Sequence, residues 1–331
     1  MSNRPRRPPR SLPRVDESDS VLSVVVPTRD RPEKLARCLA SLREALRPGD
    51  ELIVVDSASR QPARGEQVAG EIDAIFIRCE RPGVCRARNA GWRQARHGFV
   101  AFVDDDVWVH DGWANAIAGA FVKHPDVAFL TGRIDVPPAQ ADTERPVALK
   151  DDTEPAVLDA HTGGVLGHSA NMAARRDALE KVGGFDESLG AGGRFRAAPE
   201  LDLFDRLFAA GLTGRYEPDA RAWHDQWRGR RELVKLDYAY GVGTGARLAK
   251  LVRSDKRRAR AVAVDALWRR GARQFSIDLL RGYETGAIFA LSGTAGTAVG
   301  FARAIFVPVR DGHFVTHRHD EAPKRHAWKQ P

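Results

Sequence analysis

The chain has 331 residues, 43% of them hydrophobic and 29% charged, enough apolar content to bury a full core and too much for a disordered chain. Its formal net charge of +8 calls for anionic partners, whether nucleotide phosphates, nucleic acid or an acidic membrane surface. The cysteines, Cys38, Cys79 and Cys85, are odd in number and lack C-x-x-C spacing, so neither a disulfide framework nor a cysteine zinc site is indicated and a reducing cytoplasm fits best.

Residues 1–14 hold five arginines and four prolines with no apolar centre, so a disordered basic tail is expected over residues 1–20 rather than a secretory signal. Val21–Val26 is a β-branched run ending at Pro27, and Pro32–Leu46 then sets Leu35, Leu39, Leu42 and Leu46 at helical spacing. Further strands are expected at Glu51–Val55, Ala74–Arg78, Phe99–Val103 and Asp126–Thr131, with helices at Val84–Arg96 and Trp113–His124. This alternation predicts an α/β fold, a mostly parallel sheet flanked by helices, over residues 21–230.

Phe99–Val103 runs straight into Asp104, Asp105 and Asp106. Adjacent carboxylates raise one another's pKa unless a cation lies among them, and a hard divalent ion with oxygen ligands does this while also holding a diphosphate. A solvated acidic turn is the bland alternative. Because ligands of open α/β sheets bind beyond the carboxyl ends of the strands, Thr28, Arg29, Asp30, Asp56 and the aspartates are expected at one edge.

Pro137–Pro155 reads as a polar loop, Arg175–Val182 as a helix capped by Gly183-Gly184, and Pro199–Ala210 as a helix with acids in its first turn. From Arg231 the chain changes character: residues 247–273 carry ten basic residues against two acids, and Thr285–Ala302 has no charge. A helical, basic and apolar appendage over residues 231–310 follows, suited either to solvent or to an anionic membrane surface, with a flexible tail at 311–331. Gly241-Val242-Gly243-Thr244-Gly245 lies within a helical stretch rather than after a strand, so it does not support a dinucleotide fingerprint.

Val24-Val25-Val26-Pro27-Thr28-Arg29-Asp30-Arg31, Val54-Val55-Asp56-Ser57, Ala87-Arg88-Asn89-Ala90-Gly91 and Phe102-Val103-Asp104-Asp105-Asp106 together resemble family 2 glycosyltransferases. Asn171-Met172-Ala173, Gly183-Gly184-Phe185-Asp186-Glu187, Pro199-Glu200-Leu201-Asp202-Leu203 and Trp223-His224-Asp225 resemble the acceptor half of the same family. The resemblance, over residues 22–250, implies a GT-A fold, a nucleotide-diphosphate sugar donor, a Mn²⁺ or Mg²⁺ ion and inversion at the anomeric carbon. It also implies a glycan, lipid-linked or small-molecule acceptor, met in the cytoplasm or at the inner membrane face.

By the same resemblance Asp104 lies near the ribose or base, Asp105 assists, and Asp106 holds the metal. His224 is either a further ligand or a structural histidine beside Trp223 and Trp227. Relatives commonly carry an acidic pair followed two residues later by another acid; here Pro199 stands at the first position of the pair. Glu200 therefore inherits the role of base, with Asp202 as support or substitute, unless Glu200 merely caps its helix.

Chemistry suggests the remaining donor contacts: Pro27, Thr28 and Arg29 at the first strand end, Asp56 for a base imide, and Arg88 for phosphate or for Asp104. Asn89 either contacts donor or caps its turn, and Gly163, Gly164 and Asn171 are expected to border the acceptor. Two other classes compete, a nucleic-acid-binding protein using the basic C-terminal helices and another nucleotide-binding α/β transferase.

Overall fold

The protein is described by a computed structural model covering residues 20–142 and 147–315. Strands β1 (Leu22–Thr28), β2 (Glu51–Ser57), β3 (Ile75–Cys79) and β4 (Phe99–Val103) alternate with helices α1 (Pro32–Ala45), α2 (Pro62–Gly70) and α3 (Val84–Gln94). Further on come β5 (Val107–Val109), α4 (Trp113–Lys123), β6 (Val127–Asp135), β7 (Ala156–Leu158) and β8 (Asn171–Arg175). Helices α5 (Arg176–Val182) and α6 (Pro199–Ala209) precede the long strand β9 (Thr213–His224).

One nine-stranded sheet results, in the order β3-β2-β1-β4-β8-β6-β9-β5, with β7 pairing β9. The expected strands and helices of the first half are present and the sheet is mostly parallel there. Strands β8 and β9 were not read from the sequence. Strand β8 runs antiparallel to both β4 and β6, so the second half is not a continued series of crossovers.

The period of two along β1 explains why the sheet is covered on both faces. Leu22, Val24 and Val26 pack with Leu35, Leu39 and Leu42 of α1 and with Trp113, Ile117 and Phe121 of α4. Val25, with Ile53 and Val55, packs on the other face against Trp92 of α3 and Leu203, Phe204 and Leu207 of α6.

The C-terminal region is helical, as expected, but it is not a detached appendage. Helices α7 (Arg230–Ser254), α8 (Lys256–Ala263), α9 (Gln274–Leu280) and α10 (Glu284–Ala304) are joined through a π-type segment, Val264–Arg273, kinked at Gly271. Lys250 of α7 sends its ammonium to Asp186 (2.6 Å) and Asp202 (2.7 Å), and Arg247 reaches Asp205 of α6 (2.5 Å).

Gly241, Gly243 and Gly245 serve close approach. A Cβ at Gly241 would lie 2.1 Å from the Gly293 carbonyl of α10, one at Gly245 2.1 Å from that of Thr297, and one at Gly243 2.4 Å from the Ala197 backbone. Helix α10 is apolar and long enough to cross a membrane, yet it lies along α7 through Gly241 and Gly245.

Residues 311–315, expected to begin a flexible tail, form a hairpin of β10 (Val309–Arg310) with β11 (His313–Phe314). Phe314 is buried and its amide donates to Asp186 (2.8 Å). The rest of that tail and residues 1–19 lie outside the described residues.

Candidate active site

The ends of β1 and β4 open onto one cavity of about 1150 Å³. Pro27, Thr28, Arg29, Arg88, Asp104, Asp105, Asp106, Gly163, Gly164, Glu200 and His224, all expected site residues, line it.

Strand β4 stops at Val103, and the Val107 amide closes a turn on the Asp104 carbonyl (3.0 Å), which fans the three carboxylates apart. Asp104 accepts from Nη2 of the buried Arg88 at 2.5 Å. Asp105 accepts from the Thr28 hydroxyl (2.9 Å) and from Arg31 Nη1 (2.9 Å), and the same Arg31 nitrogen reaches Asp106 (3.2 Å). Arg31, at the start of α1, thus bridges two of the three acids.

His224 is brought to the triplet by strand register. Strand β5 pairs antiparallel with β9 so that Val107 faces His224, and the Asp225 amide donates to the Asp106 carbonyl (2.9 Å). His224 Nε2 lies 3.6 Å from Asp106 Oδ1, and the Trp227 indole donates to Asp106 Oδ2 (3.0 Å).

The two neighbouring acids titrate in opposite directions. Burial pushes Asp105 up to about 7, against the pull of Arg31. Burial also acts on Asp106, but His224, the Trp227 N–H, Arg31 and Arg228 outweigh it and hold that carboxyl below its usual value. Burial pushes His224 down, favouring the neutral imidazole that ligates metals.

Glu200 sits in the first turn of α6, after Arg196 and Ala198, both non-glycine residues in the left-handed region (φ 64° and 60°). Ser169 lies 3.4 Å from its carboxylate. His168, Tyr240 and Arg88 feel the charges of both Glu200 and Asp104, so the second acid shares the electrostatic neighbourhood of the first cluster.

Four expected site residues do not reach the cavity. Asp202 is buried beneath α6 on Lys250 (2.7 Å) and Arg206 (3.0 Å); two residues along a helix turn a side chain about 200° away, so it points to the core when Glu200 points to the cavity. Asn89 takes the Trp92 indole (3.0 Å) and the Phe185 amide (2.9 Å) and donates to the Phe185 carbonyl (2.9 Å), locking α3 to the segment after α5.

Asn171 accepts from Trp113 (2.9 Å) and donates to the carbonyls of Arg133 (2.9 Å) and Ala220 (2.7 Å), a clamp inside the sheet and not an acceptor contact. Asp56 is buried behind the wall that Ser57 forms, its Oδ2 held by Arg78 (2.7 Å) and the Ser59 amide (3.1 Å).

Sequence reasoning missed Arg31, His168, Ser169, Trp227 and Arg228. Arg31 had a signal, standing at the end of the Val24–Arg31 motif, and Trp227 had one in its place beside His224. The others act through contacts made across tens of residues.

The sequence profile of Glycosyl transferase family 2 matches residues 23–183. Pre-mycofactocin glycosyltransferase of Mycobacterium tuberculosis is 33% identical over 239 residues, covering 69% of this chain and 47% of that protein. The chain therefore spans about half the length of that relative. Glucosyl-dolichyl phosphate glucuronosyltransferase of Haloferax volcanii is 25% identical over 64% of this chain and 71% of its own length. Among solved structures, mannosyltransferase PcManGT from Pyrobaculum calidifontis in complex with GDP-Man and Mn²⁺ superposes with a TM-score of 0.56 at 20% identity, over 86% of this chain and 80% of that one, a likeness of fold.

Proposed function

Because the chain belongs to glycosyl transferase family 2 through residues 23–183, we propose that it is an inverting glycosyltransferase moving a sugar from a nucleotide-diphosphate donor to a hydroxyl. The acceptor would be a glycan, a lipid-linked sugar or a small molecule. One observation carries the reading: the strand-end aspartates and Glu200 line the same cavity.

Inverting transfer is a single displacement. The acceptor oxygen bonds to the anomeric carbon as the bond from that carbon to the β-phosphate oxygen breaks, and the acceptor proton passes to a base. Glu200 suits the role of base, facing the cavity without the ion pairs that occupy Asp202. The leaving diphosphate takes the bonding electrons and needs positive groups around it. Arg88 Nε and Arg228 Nη1 are buried N–H donors with no partner among the described residues, and both side chains line the cavity, which supports their meeting phosphate.

A divalent cation fits the donor set. Asp106 and His224 are buried, face the cavity and stand 3.6 Å apart, and among the described residues no third His, Cys, Asp or Glu completes a closed cage. Asp106 and His224 would hold such an ion and leave room on it for phosphate oxygens and water, which suits Mg²⁺ or Mn²⁺. Such an ion would supply charge neutralisation to the diphosphate, with Asp104 near the ribose or base.

Work at an anionic membrane face belongs to the same reading, supported by exposed Trp268, Leu280, Leu291 and Phe306 beside the basic helices. The reading is tested by thermal stabilisation with a panel of nucleotide sugars, each with and without Mn²⁺. Stabilisation by at least one sugar nucleotide, strengthened by Mn²⁺, is expected; none from any member would overturn it.

A further inference from the structure

Part of the cavity wall comes from the C-terminal helices rather than the sheet, and that part is arginine-rich. Arg247 and Arg258 line it while sharing one carboxylate, Asp205, and Arg270 is held by Asp265 (2.7 Å). Arg257 and Arg269 also line it, as does Arg196 from the loop before α6. Among the described residues the side chains of these last three make no hydrogen bond or ion pair, although the Arg196 amide donates to the Gly193 carbonyl (3.3 Å). Arg196 is held in the left-handed region, φ 64°, only four residues before Glu200.

Solvated arginines are ordinary on a convex surface. Here three exposed side chains without partners line one concave cavity, whose shape concentrates their positive field. The donor does not need them, because Arg88 and Arg228 face the cavity with free N–H donors and a cation held by Asp106 would add further charge at its diphosphate. Leu201, Leu236 and Val262 line the same cavity and add apolar surface.

We infer that this basic lobe binds the acceptor, and that the acceptor carries an oxyanion, a phosphate or a carboxylate, on an apolar body beside the hydroxyl that reacts at Glu200. The inference rests on the glycosyltransferase reading and names the substrate class of that site. Arg196, Arg257 and Arg269 are then specificity residues, meeting the oxyanion through paired N–H donors.

The test uses the full chain saturated with UDP or GDP and Mn²⁺, so that the donor site is filled, and titrates it with octyl phosphate, octanoate and octyl β-glucoside at low and high salt. At least one anionic probe is expected to bind about tenfold tighter than the glucoside, with an affinity that falls as salt rises. The stronger of the two identifies the oxyanion. Arg196→Glu, Arg257→Glu and Arg269→Glu together should abolish that preference while nucleotide binding persists.

If circular dichroism shows the triple variant unfolded, Arg269→Gln alone, at an exposed position, should weaken the anionic probe in the same direction. Anionic probes bound no tighter than the glucoside, or bound equally well by the variants, would overturn the inference alone. So would attachment to phosphatidylglycerol vesicles without binding of monomeric octyl phosphate, which would assign the arginines to a membrane. Failure of both nucleotides to bind would overturn the donor reading, and this inference with it.

Discussion

Lys250 of α7 places its ammonium 2.7 Å from the Asp202 carboxylate of α6, so the helix that presents Glu200 is fastened from below by the C-terminal region. Both partners are buried, and the same ammonium serves Asp186 and the Gly312 carbonyl.

Separate roles for Glu200 and Asp202 follow from this bond. Lys250→Met leaves Asp186 buried without its cation and Asp202 with Arg206 alone, and should cost about 3–5 kcal/mol, read as a fall in urea midpoint. Glu200→Gln should leave that midpoint unchanged and slow transfer by about 10²–10⁴-fold, the usual worth of a general base. Loss of stability without loss of transfer in Glu200→Gln would return that residue to a capping role.

The pH dependence of stability has a definite sign at Asp202. Burial opposes its ionisation, but Lys250 and Arg206 overcome that and hold its pKa below the ordinary 3.8. A carboxyl depressed in the folded state adds stability that is complete above its unfolded pKa and lost as pH falls toward the folded value. Urea midpoints should therefore drop in the acid range below about pH 4. Asp202→Asn should show a smaller acid drop from a lower starting point.

Asp106 and His224 should act together on donor binding. Asp106→Ala or His224→Ala is expected to remove the extra stabilisation that Mn²⁺ adds to a bound nucleotide sugar, while the metal-free stability falls by about 1–3 kcal/mol as buried partners are left unpaired. If His224→Ala retains the Mn²⁺ increment, that imidazole is a structural neighbour of Asp106 and no ligand.

Asn89 and Asn171 are expected to behave as structural residues. Each satisfies buried N–H or carbonyl groups on separate elements, so Asn89→Ala and Asn171→Ala should each lose about 1–3 kcal/mol in chemical denaturation. The Michaelis constant for donor should not change in the folded fraction. A selective rise in that constant for Asn89→Ala would restore the donor contact.

Gly245→Ala tests the helix pair. Its Cβ would fall 2.1 Å from the Thr297 carbonyl, backbone that cannot rotate aside, so α7 and α10 must separate at a cost of about 1–3 kcal/mol. Gly119→Ala, in α4 with no atom within 4 Å of the added carbon, should be neutral or slightly stabilising and serves as the control.

What the sequence made legible was local. Strand ends carrying Thr28 and Asp104–Asp106 could be read because β-branched runs stop at polar residues, and ligand sites lie beyond such ends. Direction around a helix was harder: Arg88 and Asn89 are adjacent and lie about 100° apart, so one faces the cavity and the other the α5 junction. The arginine-dense segment was misleading for another reason. Its counterion Asp205 lies 42 residues before Arg247 and 53 before Arg258, so a charge run in sequence became a partly neutralised wall in space.

The glycine at 243 carries a consequence for any shortened version of this protein. A chain cut after Trp227 would keep every strand of the sheet, the aspartate turn and His224. It would also strip Asp186 and Asp205 of their cations, leave Asp202 with Arg206 alone, and take away the helix against which the Ala197 backbone rests. The left-handed bend at Arg196 and Ala198 would then keep only its local backbone hydrogen bonds, and the acid it presents would drift. Nucleotide affinity would outlive turnover in such a fragment, which makes the last helices the keystone of the reaction and not its annex.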